Sequence, residues 1–502
     1  MCLDIYWISL LVLVPLVAFV TGRDFIIRPF HKKLVEKPMT WTPDEDARKF
    51  RWTFLQVYLV VMGSEWLQGP YLFSLFRNEK GLDEATIATL YICTYVSAAI
   101  SAFFTGYVTD RFGRRAACLV FCGIHSLASA SVCFDKLEVL ILGRILSGIG
   151  LTLLWTAFES WMIAEYNARG LDQSSLQLSN MFGIMTTYNC ITAILAGVSG
   201  HCIVLALGSK TDPFMVGLAL DLCVAILMLY TWNENRGLST SSKGTADVHD
   251  EEAIRTQASV DSDQAMALAS LTDVRVWVLS FITCCFEGTI FLLMFFWPGT
   301  LQEAHDRDHP ESRDAIPHGV IFAAFMAIMV LGALLFNYLT TNSGGRGKGH
   351  LVRFFNPTRL LSIALLLSAV SFLVAALTST ESHLFGAFLL LEACNGIYVP
   401  SVAYHRGVIV NEAGRASVYG LMNIPLFIFV VVALWSTGGS REDHRQIVFI
   451  LCAALLLAAA LMSSFGLDMA RSPAGFSEVA QTNAEDVKAE VDGDAVEVSD
   501  MG

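Results

Sequence analysis

The amino-acid sequence predicts an all-α membrane protein, and three observations lead to that prediction. Of the 502 residues, 54% are hydrophobic and only 16% are charged, with a mean hydropathy of +0.54. That apolar content exceeds what a soluble protein of this length needs. Many apolar runs reach the roughly 20 residues with which a helix crosses a bilayer. None of these runs shows the apolar–polar alternation that is typical of transmembrane β-strands.

The apolar runs predict two bundles of six helices and one extra N-terminal helix. The predicted spans cover residues 5–21, 54–76, 85–108, 116–133, 138–160, 178–204, 214–232, 274–297, 317–341, 358–379, 383–403, 416–437 and 446–467. The polar segment 233–273 divides the last twelve spans into two sets of six. The predicted organisation is an N-terminal transmembrane anchor (1–22), a cytoplasmic linker (23–53), an N-terminal bundle (54–232), a flexible cytoplasmic linker (233–273), a C-terminal bundle (274–467) and an acidic cytoplasmic tail (468–502).

The distribution of lysine and arginine predicts the orientation in the membrane. If residues 22–53 are cytoplasmic, the segments inside carry more than twice as many lysines and arginines as the segments outside. This places the N-terminus outside and the C-terminus in the cytoplasm, and we expect a multi-pass protein of the plasma membrane. The net charge of −13 resides largely in the polar linker and the tail. The absence of a basic patch predicts no nucleic-acid partner.

The short loop between the second and third spans of the first bundle carries a gating motif. It reads GYVTDRFGRR and contains Gly106, Asp110, Arg111, Gly113 and Arg114. This pattern resembles the signature of the major facilitator superfamily, which implies the major facilitator fold. Glycines at the first and fourth of these positions permit close helix packing and a tight turn. The aspartate can make a contact that exists in one transport state only, although the arginines can equally serve orientation alone.

Arg144 is a candidate substrate-binding cation. It precedes the glycines of RILSGIG in the fourth span of the first bundle, a pattern similar to a second major facilitator signature. A guanidinium matches the geometry of an oxyanion because it donates two parallel hydrogen bonds. A structural ion pair with a buried carboxylate is the equally weighted alternative.

Acidic and amide side chains inside apolar runs predict the remaining substrate site. A charged group at membrane depth is costly, so it usually faces a cavity and marks a pathway for a substrate or for protons. These candidates are Glu65, Gln68, Glu159, Glu287, Glu392 and Asn395. Packing against Arg144 or kinked backbone is the alternative for the carboxylates. For His125 and Asp221, we expect pairing with a neighbouring helix.

Several stretches resemble a particular family, the eukaryotic molybdate-anion transporters. They are VYLVVMGSEWLQGPYLFSLF, LLWTAFESWMIAEY, FEGTIFLLMFFWPGTL and GIYVPSVAYHRGVIVNE, and the resemblance spans about residues 50–465. The resemblance implies uptake of molybdate. Together with the buried carboxylates, it predicts a secondary active transporter of molybdate or a related oxyanion that works by alternating access, with protons and membrane lipid as further partners. Another solute, such as an organic cation, and a non-transporting sensor or scaffold stay open as alternatives. We expect no enzymatic activity, no cofactor and no metal site.

Overall fold

The computed structural model describes residues 4–32, 43–171, 176, 178–235, 273–311, 315–341, 356–409, 415–435 and 441–466. Thirteen long helices make up most of this part of the chain. They are α1 (Ile5–Lys32), α2 (Pro43–Gln68), α3 (Glu84–Phe112), α4 (Arg114–Ser131), α5 (Leu137–Ala168), α6 (Leu178–Leu207), α7 (Asp212–Thr231), α8 (Val274–Asp308), α9 (His318–Thr341), α10 (Pro357–Leu377), α11 (Glu381–Ile409), α12 (Arg415–Trp435) and α13 (Arg441–Gly466). Each contains or overlaps one of the predicted spans, which confirms the all-α fold class.

Nine of these helices, α3, α5 to α11 and α13, are long and apolar enough within the described residues to cross a membrane. Shorter apolar helical stretches occur at Ile5–Thr21 in α1 and Pro425–Trp435 in α12. The helices α2 and α4 begin with charged residues, which lowers their hydropathy. The first turns of α2 lie in what the sequence predicts as a linker, and Phe50 is buried there. This helix therefore begins within the predicted linker, because its apolar face already packs into the core of the first bundle there.

The helices pack in two sets with the same internal pattern. In the first set α2 contacts α6 and α7, α5 contacts α3 and α4, and α4 contacts α7. In the second set α8 contacts α12 and α13, α11 contacts α9 and α10, and α10 contacts α13. This repetition is the two-bundle arrangement of the major facilitator fold. The predicted domain boundaries stay predictions, because residues 33–42, 236–272 and 467–502 lie outside the described residues.

The two bundles meet through α6 with α9 and α3 with α12, and α1 packs on α9. The starts of α1 and α11 and the end of α8 lie together; we call this end, which is predicted to face outside, the outer end. One apolar core includes the second bundle, the outer parts of α3 and α6, Phe73 and Phe76 in the segment that follows α2, and the start of α1. The inner part of the first bundle has a separate core. The bundles are therefore closed against each other in their outer halves.

Aromatic rings form much of this outer closure. Phe295 of α8 meets Phe73 and Tyr91 of the first bundle at ring-centroid distances of 5.4 and 5.1 Å. Trp66 lies 5.7 Å from Phe322 of α9. Close approach of backbones adds to it, since a Cβ on Gly197 would lie 2.7 Å from the carbonyl oxygen of Gly319. Only glycine permits α6 and α9 to pack this closely.

Candidate functional site

A buried histidine joins three helices of the first bundle. His125 of α4 contacts Glu65 of α2 through Nε2, at 3.0 Å, and Asp221 of α7 through Nδ1, at 2.6 Å. Gln68 lies 3.5 Å from the same Nε2 and accepts a hydrogen bond from Ser129 at 3.1 Å. The expectation that His125 and Asp221 find partners on neighbouring helices is confirmed. The sequence did not indicate that Glu65 and Gln68 share that histidine.

This chain of acid, base and acid is arranged to hold or move a proton. An imidazole that contacts a carboxylate through each ring nitrogen can carry its proton toward either one. Asp221 is fully buried, and its Oδ1 has no hydrogen-bond partner among the described residues. Glu65 is partly exposed, so it is the member of the chain that solvent or a ligand reaches.

Arg144 lies near this group, and its charge is not neutralised by an ion pair. It is 5% exposed, and the described part of the chain offers its guanidinium no hydrogen bond or salt bridge; Nε in particular is buried without an acceptor. Its Cζ lies 5.8 Å from the centre of the Phe76 ring. Glu65 and Tyr91 are close enough to interact with it electrostatically. A buried, unpaired guanidinium is unfavourable, so this position favours an anion.

The second bundle contains a different pair at the other glutamate. Glu287 of α8 accepts hydrogen bonds from Arg406 and from the hydroxyl of Tyr398, each at 3.3 Å. Arg406 also donates to Thr283 at 3.3 Å. The predicted span 383–403 ends before Arg406, and that boundary is too short. Helix α11 continues to Ile409 and holds the arginine, half-buried, against α8.

Glu392 and Asn395 lie on one face of α11, as their spacing predicts. Asn395 donates to Glu392 Oε2 at 3.1 Å and lies 3.6 Å from the sulfur of Met329. Glu392 is 0% exposed, and its Oε1 has no partner among the described atoms. Glu159 differs, because its side chain is exposed on α5 and makes no hydrogen bond or salt bridge with any described side chain; it interacts electrostatically with Tyr58. The structure thus groups Glu65, Gln68 and Arg144, and leaves Glu159 apart from them.

The gating motif forms the turn between α3 and α4. Gly113 has a φ of 114°, a conformation that only glycine adopts readily, and it serves as the N-terminal cap position of α4 without a capping side chain. Glu234, which follows α7, accepts the backbone N–H groups of Arg115 and Ala116 at 3.1 Å each. A carboxylate there stabilises a helix N-terminus. The first residues of the predicted linker therefore pack against the turn between α3 and α4.

One expectation for this motif changes. A Cβ on Gly106 would have no heavy atom within 4 Å, so the close packing expected at Gly106 is not found in this conformation. Gly148 of α5 has that role, because a Cβ there would overlap Ser97 and the backbone of α3. The side chain of Asp110 lies outside the described residues. Arg111 and Arg114 both have partners within the chain.

The cap that Glu234 forms on α4 and the pairing of Arg406 could not be predicted from the motifs. Glu234 lies in a polar segment, where a glutamate has no distinguishing pattern. Arg406 follows an apolar run closely and is indistinguishable from a residue that only sets orientation. The length of α11 decides its position, and helix ends are the least predictable part of a sequence.

The fold and the site were compared with known proteins. A family described as sugar transporters with 12 transmembrane spans matches residues 12–392. A molybdate-anion transporter of Takifugu rubripes is 30% identical over 453 residues, covering 84% of this chain and 88% of that protein. A molybdate-anion transporter of Danio rerio is 29% identical, with coverage of 82% and 86%.

Solved structures support the fold alone. The nucleoside transporter NupG (D323A mutant) aligns with a TM-score of 0.60 at 15% identity, over 82% of this chain and 99% of that one. An autoinhibited peptide transporter of the POT family aligns with a TM-score of 0.63 at 12% identity, over 84% and 97%.

Two bundles with repeated packing and ionisable groups within their spans define a multi-pass membrane transporter of the major facilitator fold. The two molybdate-anion transporters match more than four-fifths of this chain, which narrows the assignment from the fold to a family. The chain belongs to the molybdate-anion transporter family.

Proposed function

We propose that this protein takes up molybdate, or a related oxyanion, across the plasma membrane as a secondary active transporter. The observation that carries this proposal is the buried guanidinium of Arg144, which makes no hydrogen bond or salt bridge among the described residues. A tetrahedral oxyanion supplies the acceptors that such a group requires. The names of the relatives agree with this chemistry, since they are molybdate-anion transporters.

Alternating access is the mechanism that we assign to it. The outer halves of the bundles share one apolar core, whereas the inner core of the first bundle is separate. A substrate at the level of Arg144 is thus shielded from the outer side in this conformation. Rocking of one bundle against the other would separate the aromatic contacts of Phe295 and open the outer side. The Glu234 cap at the inner turn lies in the loop that such rocking displaces.

Protons complete the proposed cycle. A dianion that approaches Arg144 also approaches Glu65, and the repulsion falls if that carboxylate is protonated when the substrate arrives. His125 contacts Glu65 directly, so it can deliver or accept that proton while Asp221 stabilises the imidazolium. Glu287 and Glu392 occupy the second bundle, where they complete the path. Uptake would then be driven by a proton gradient that is directed inward.

One observation favours a different solute. Glu159 is exposed and has no ion pair with any residue whose side chain is described, which suits a cation that enters from the inner side. An organic cation is therefore the second candidate. The charge of Arg144 would repel a cationic substrate. Removing that arginine should therefore strengthen the binding of a cation and weaken the binding of an oxyanion, so the two candidates predict opposite effects.

Uptake by the purified protein in reconstituted vesicles tests the proposal. Labelled molybdate is offered with an inward proton gradient, without a gradient, and with sulfate or an organic cation as competitor. We expect molybdate uptake that rises with the gradient and falls with competing oxyanions. Transport of the organic cation without transport of molybdate would overturn the assignment in favour of the second candidate.

Variants of Arg144 locate the site. Arg144→Lys keeps the charge and loses the planar fork, so we expect molybdate affinity to fall by about 1–3 kcal/mol. Arg144→Ala should abolish detectable binding. Arg275→Ala is the matched control, because Arg275 pairs with Asp273 at the inner start of α8. Unchanged molybdate affinity in a stable Arg144→Ala protein would move the anion site elsewhere.

A further inference from the structure

Three side chains with metal-ligating atoms converge at the outer end of the second bundle. His305 and His309 lie four residues apart at the end of α8, and Glu381 begins α11. His305 Nδ1 lies 3.0 Å from Glu381 Oε1, and His309 Nδ1 lies 3.5 Å from Glu381 Oε2. One ligand atom from each residue falls within 4.8 Å of the others. None of the three takes part in the transport path described above.

This geometry is close to that of a tetrahedral zinc site. Zinc binds imidazole nitrogen and carboxylate oxygen at about 2.0–2.2 Å, so two ligand atoms in a tetrahedral shell are about 3.3 Å apart. The separations of 3.0 and 3.5 Å, each to a different oxygen of the Glu381 carboxylate, are near that distance, and the three ligand atoms lie within 4.8 Å of one another. Small rotations of the side chains would place all three atoms around one ion. The i, i+4 spacing of the histidines puts both rings on one face of the helix.

Surrounding groups already hold the carboxylate in position. The Tyr6 hydroxyl of α1 donates to Glu381 Oε1 at 2.6 Å. The carboxylate of Asp308 accepts the backbone N–H of Glu381 at 2.8 Å, which joins the end of α8 to the start of α11. Outer contacts of this kind fix the orientation of metal ligands and increase their affinity. Three helices therefore define the cluster before any ion binds.

The N-terminal segment offers a candidate fourth ligand, Asp4, which precedes α1. It lies two residues before Tyr6, whose hydroxyl donates to Glu381 Oε1. Burial and the Glu381 carboxylate raise the pKa of Asp4. A metal ion would relieve the repulsion between the two carboxylates, because it neutralises both.

We propose that His305, His309 and Glu381, with Asp4 or water as fourth ligand, bind a divalent transition-metal ion such as Zn²⁺ at the outer face. Two imidazoles favour zinc, copper or nickel over calcium and magnesium, which prefer oxygen ligands. Bound metal joins the outer ends of α1, α8 and α11. Because α8 also carries Phe295 of the outer closure, the ion would stiffen the helix that has to move when the outer side opens.

Metal binding to the purified full-length protein in detergent tests this proposal. After removal of metals by chelation, ZnCl₂ is titrated by calorimetry, and the zinc content is measured after desalting. We expect one tightly bound zinc per chain and a higher midpoint of thermal unfolding. His309→Asn should weaken zinc binding at least tenfold. That side chain is 54% exposed, so its replacement leaves the fold intact.

His383→Asn is the matched control. His383 is exposed two residues after Glu381, and it is not a member of the cluster. The His383→Asn variant should bind zinc with the same affinity as the unmodified protein. Co²⁺ provides an independent measurement, because a tetrahedral cobalt site with nitrogen ligands has strong visible absorption. Wild-type zinc affinity in His305→Asn/His309→Asn, or no zinc binding by the unmodified protein, would overturn the proposal.

Discussion

At the residue scale, the chain Glu65–His125–Asp221 shows how a membrane protein accommodates buried charge. Each member would be unfavourable alone, and each is tolerated because it contacts the next. Asp221 has the least freedom, since it is fully buried and relies on His125 for one of its oxygens. The loss of folding stability on substituting one member therefore depends on which hydrogen bond its partner loses.

Asp221→Leu should destabilise the protein by about 1–3 kcal/mol, because the buried imidazole loses its hydrogen-bond partner. Thermal or denaturant unfolding in detergent micelles measures this effect. Asp135→Asn is the control, since Asp135 forms a surface pair with Lys80 and its side chain is 88% exposed. That pair should contribute less than about 1 kcal/mol. Equal stability of the two variants would contradict the contribution to folding stability that we assign to the His125–Asp221 hydrogen bond.

The sequence predicted the chemistry of this site better than its pairing. Glutamates in apolar runs identified Glu65, Glu287 and Glu392, because polar groups at membrane depth are rare. The partner of each depends on how helices far apart in sequence cross, and no single-sequence pattern contains that information. Thus Arg144 was expected to pair with a carboxylate as readily as with a substrate, and only the packing shows its guanidinium without an ion pair among the described residues.

At the element scale, small residues determine how closely helices approach. Gly148 packs α5 against α3, and the residues that it faces are Ser97 and the backbone of Thr94. Gly106 of α3 faces open space. The positions of the glycines alone could not separate these two roles, since both follow helical spacing. Which of the two glycines faces a neighbouring helix depends on how α3 is rotated about its axis, and tertiary contacts determine that rotation.

Gly148→Ala should be destabilising, because its methyl group meets backbone that cannot rotate away. We expect a loss of about 1–3 kcal/mol, as for overpacking in a core. Gly106→Ala should leave the unfolding midpoint unchanged or raise it slightly, since alanine favours a helix more than glycine does. Thermal unfolding of both variants in the same detergent checks the pair. A destabilised Gly106→Ala protein would mean that another conformation packs that residue.

The cap on α4 leads to a kinetic prediction. Glu234→Gln retains the side-chain length and removes the charge that faces the helix N-terminus, a change worth about 0.3–1 kcal/mol. We expect a shift in the population of the inner-side states and a changed uptake rate, with molybdate affinity unaltered. Single-turnover uptake and equilibrium binding on the same sample separate these quantities. A loss of affinity equal to the loss of rate would exclude a role in gating, which we also propose for Asp110.

At the scale of the whole molecule, the two bundles are so close at Gly197 and Gly319 that neither position has room for a larger side chain. Gly319→Val would push α9 away from α6, where Tyr71 and His201 also approach. We expect this variant to favour the conformation that is open outside. A cysteine introduced near Phe295 should then react faster with a membrane-impermeant thiol reagent. The exposed native cysteines among the described residues have to be replaced first; they are Cys133, Cys202 and Cys223.

The orientation of the entire chain is a further prediction at this scale. An epitope tag at residue 1 should be labelled on intact cells, and one at residue 502 only after permeabilisation. The physical reason is the excess of lysine and arginine in the segments predicted to lie inside. The reverse labelling pattern would place the His305–His309–Glu381 cluster in the cytoplasm. It would also move the turn at Gly113 to the outside.

The stacked indoles at the inner end of the first bundle provide an intrinsic optical signal. Trp161 and Trp232 lie nearly parallel with ring centres 3.7 Å apart, and Phe54 stacks on Trp232 at 5.9 Å. Trp232 immediately precedes Asn233, Glu234 and Asn235, so motion of that cap also moves the ring. Indoles this close couple their electronic transitions. Circular dichroism of the unlabelled protein should therefore follow the inner turn during each transport cycle.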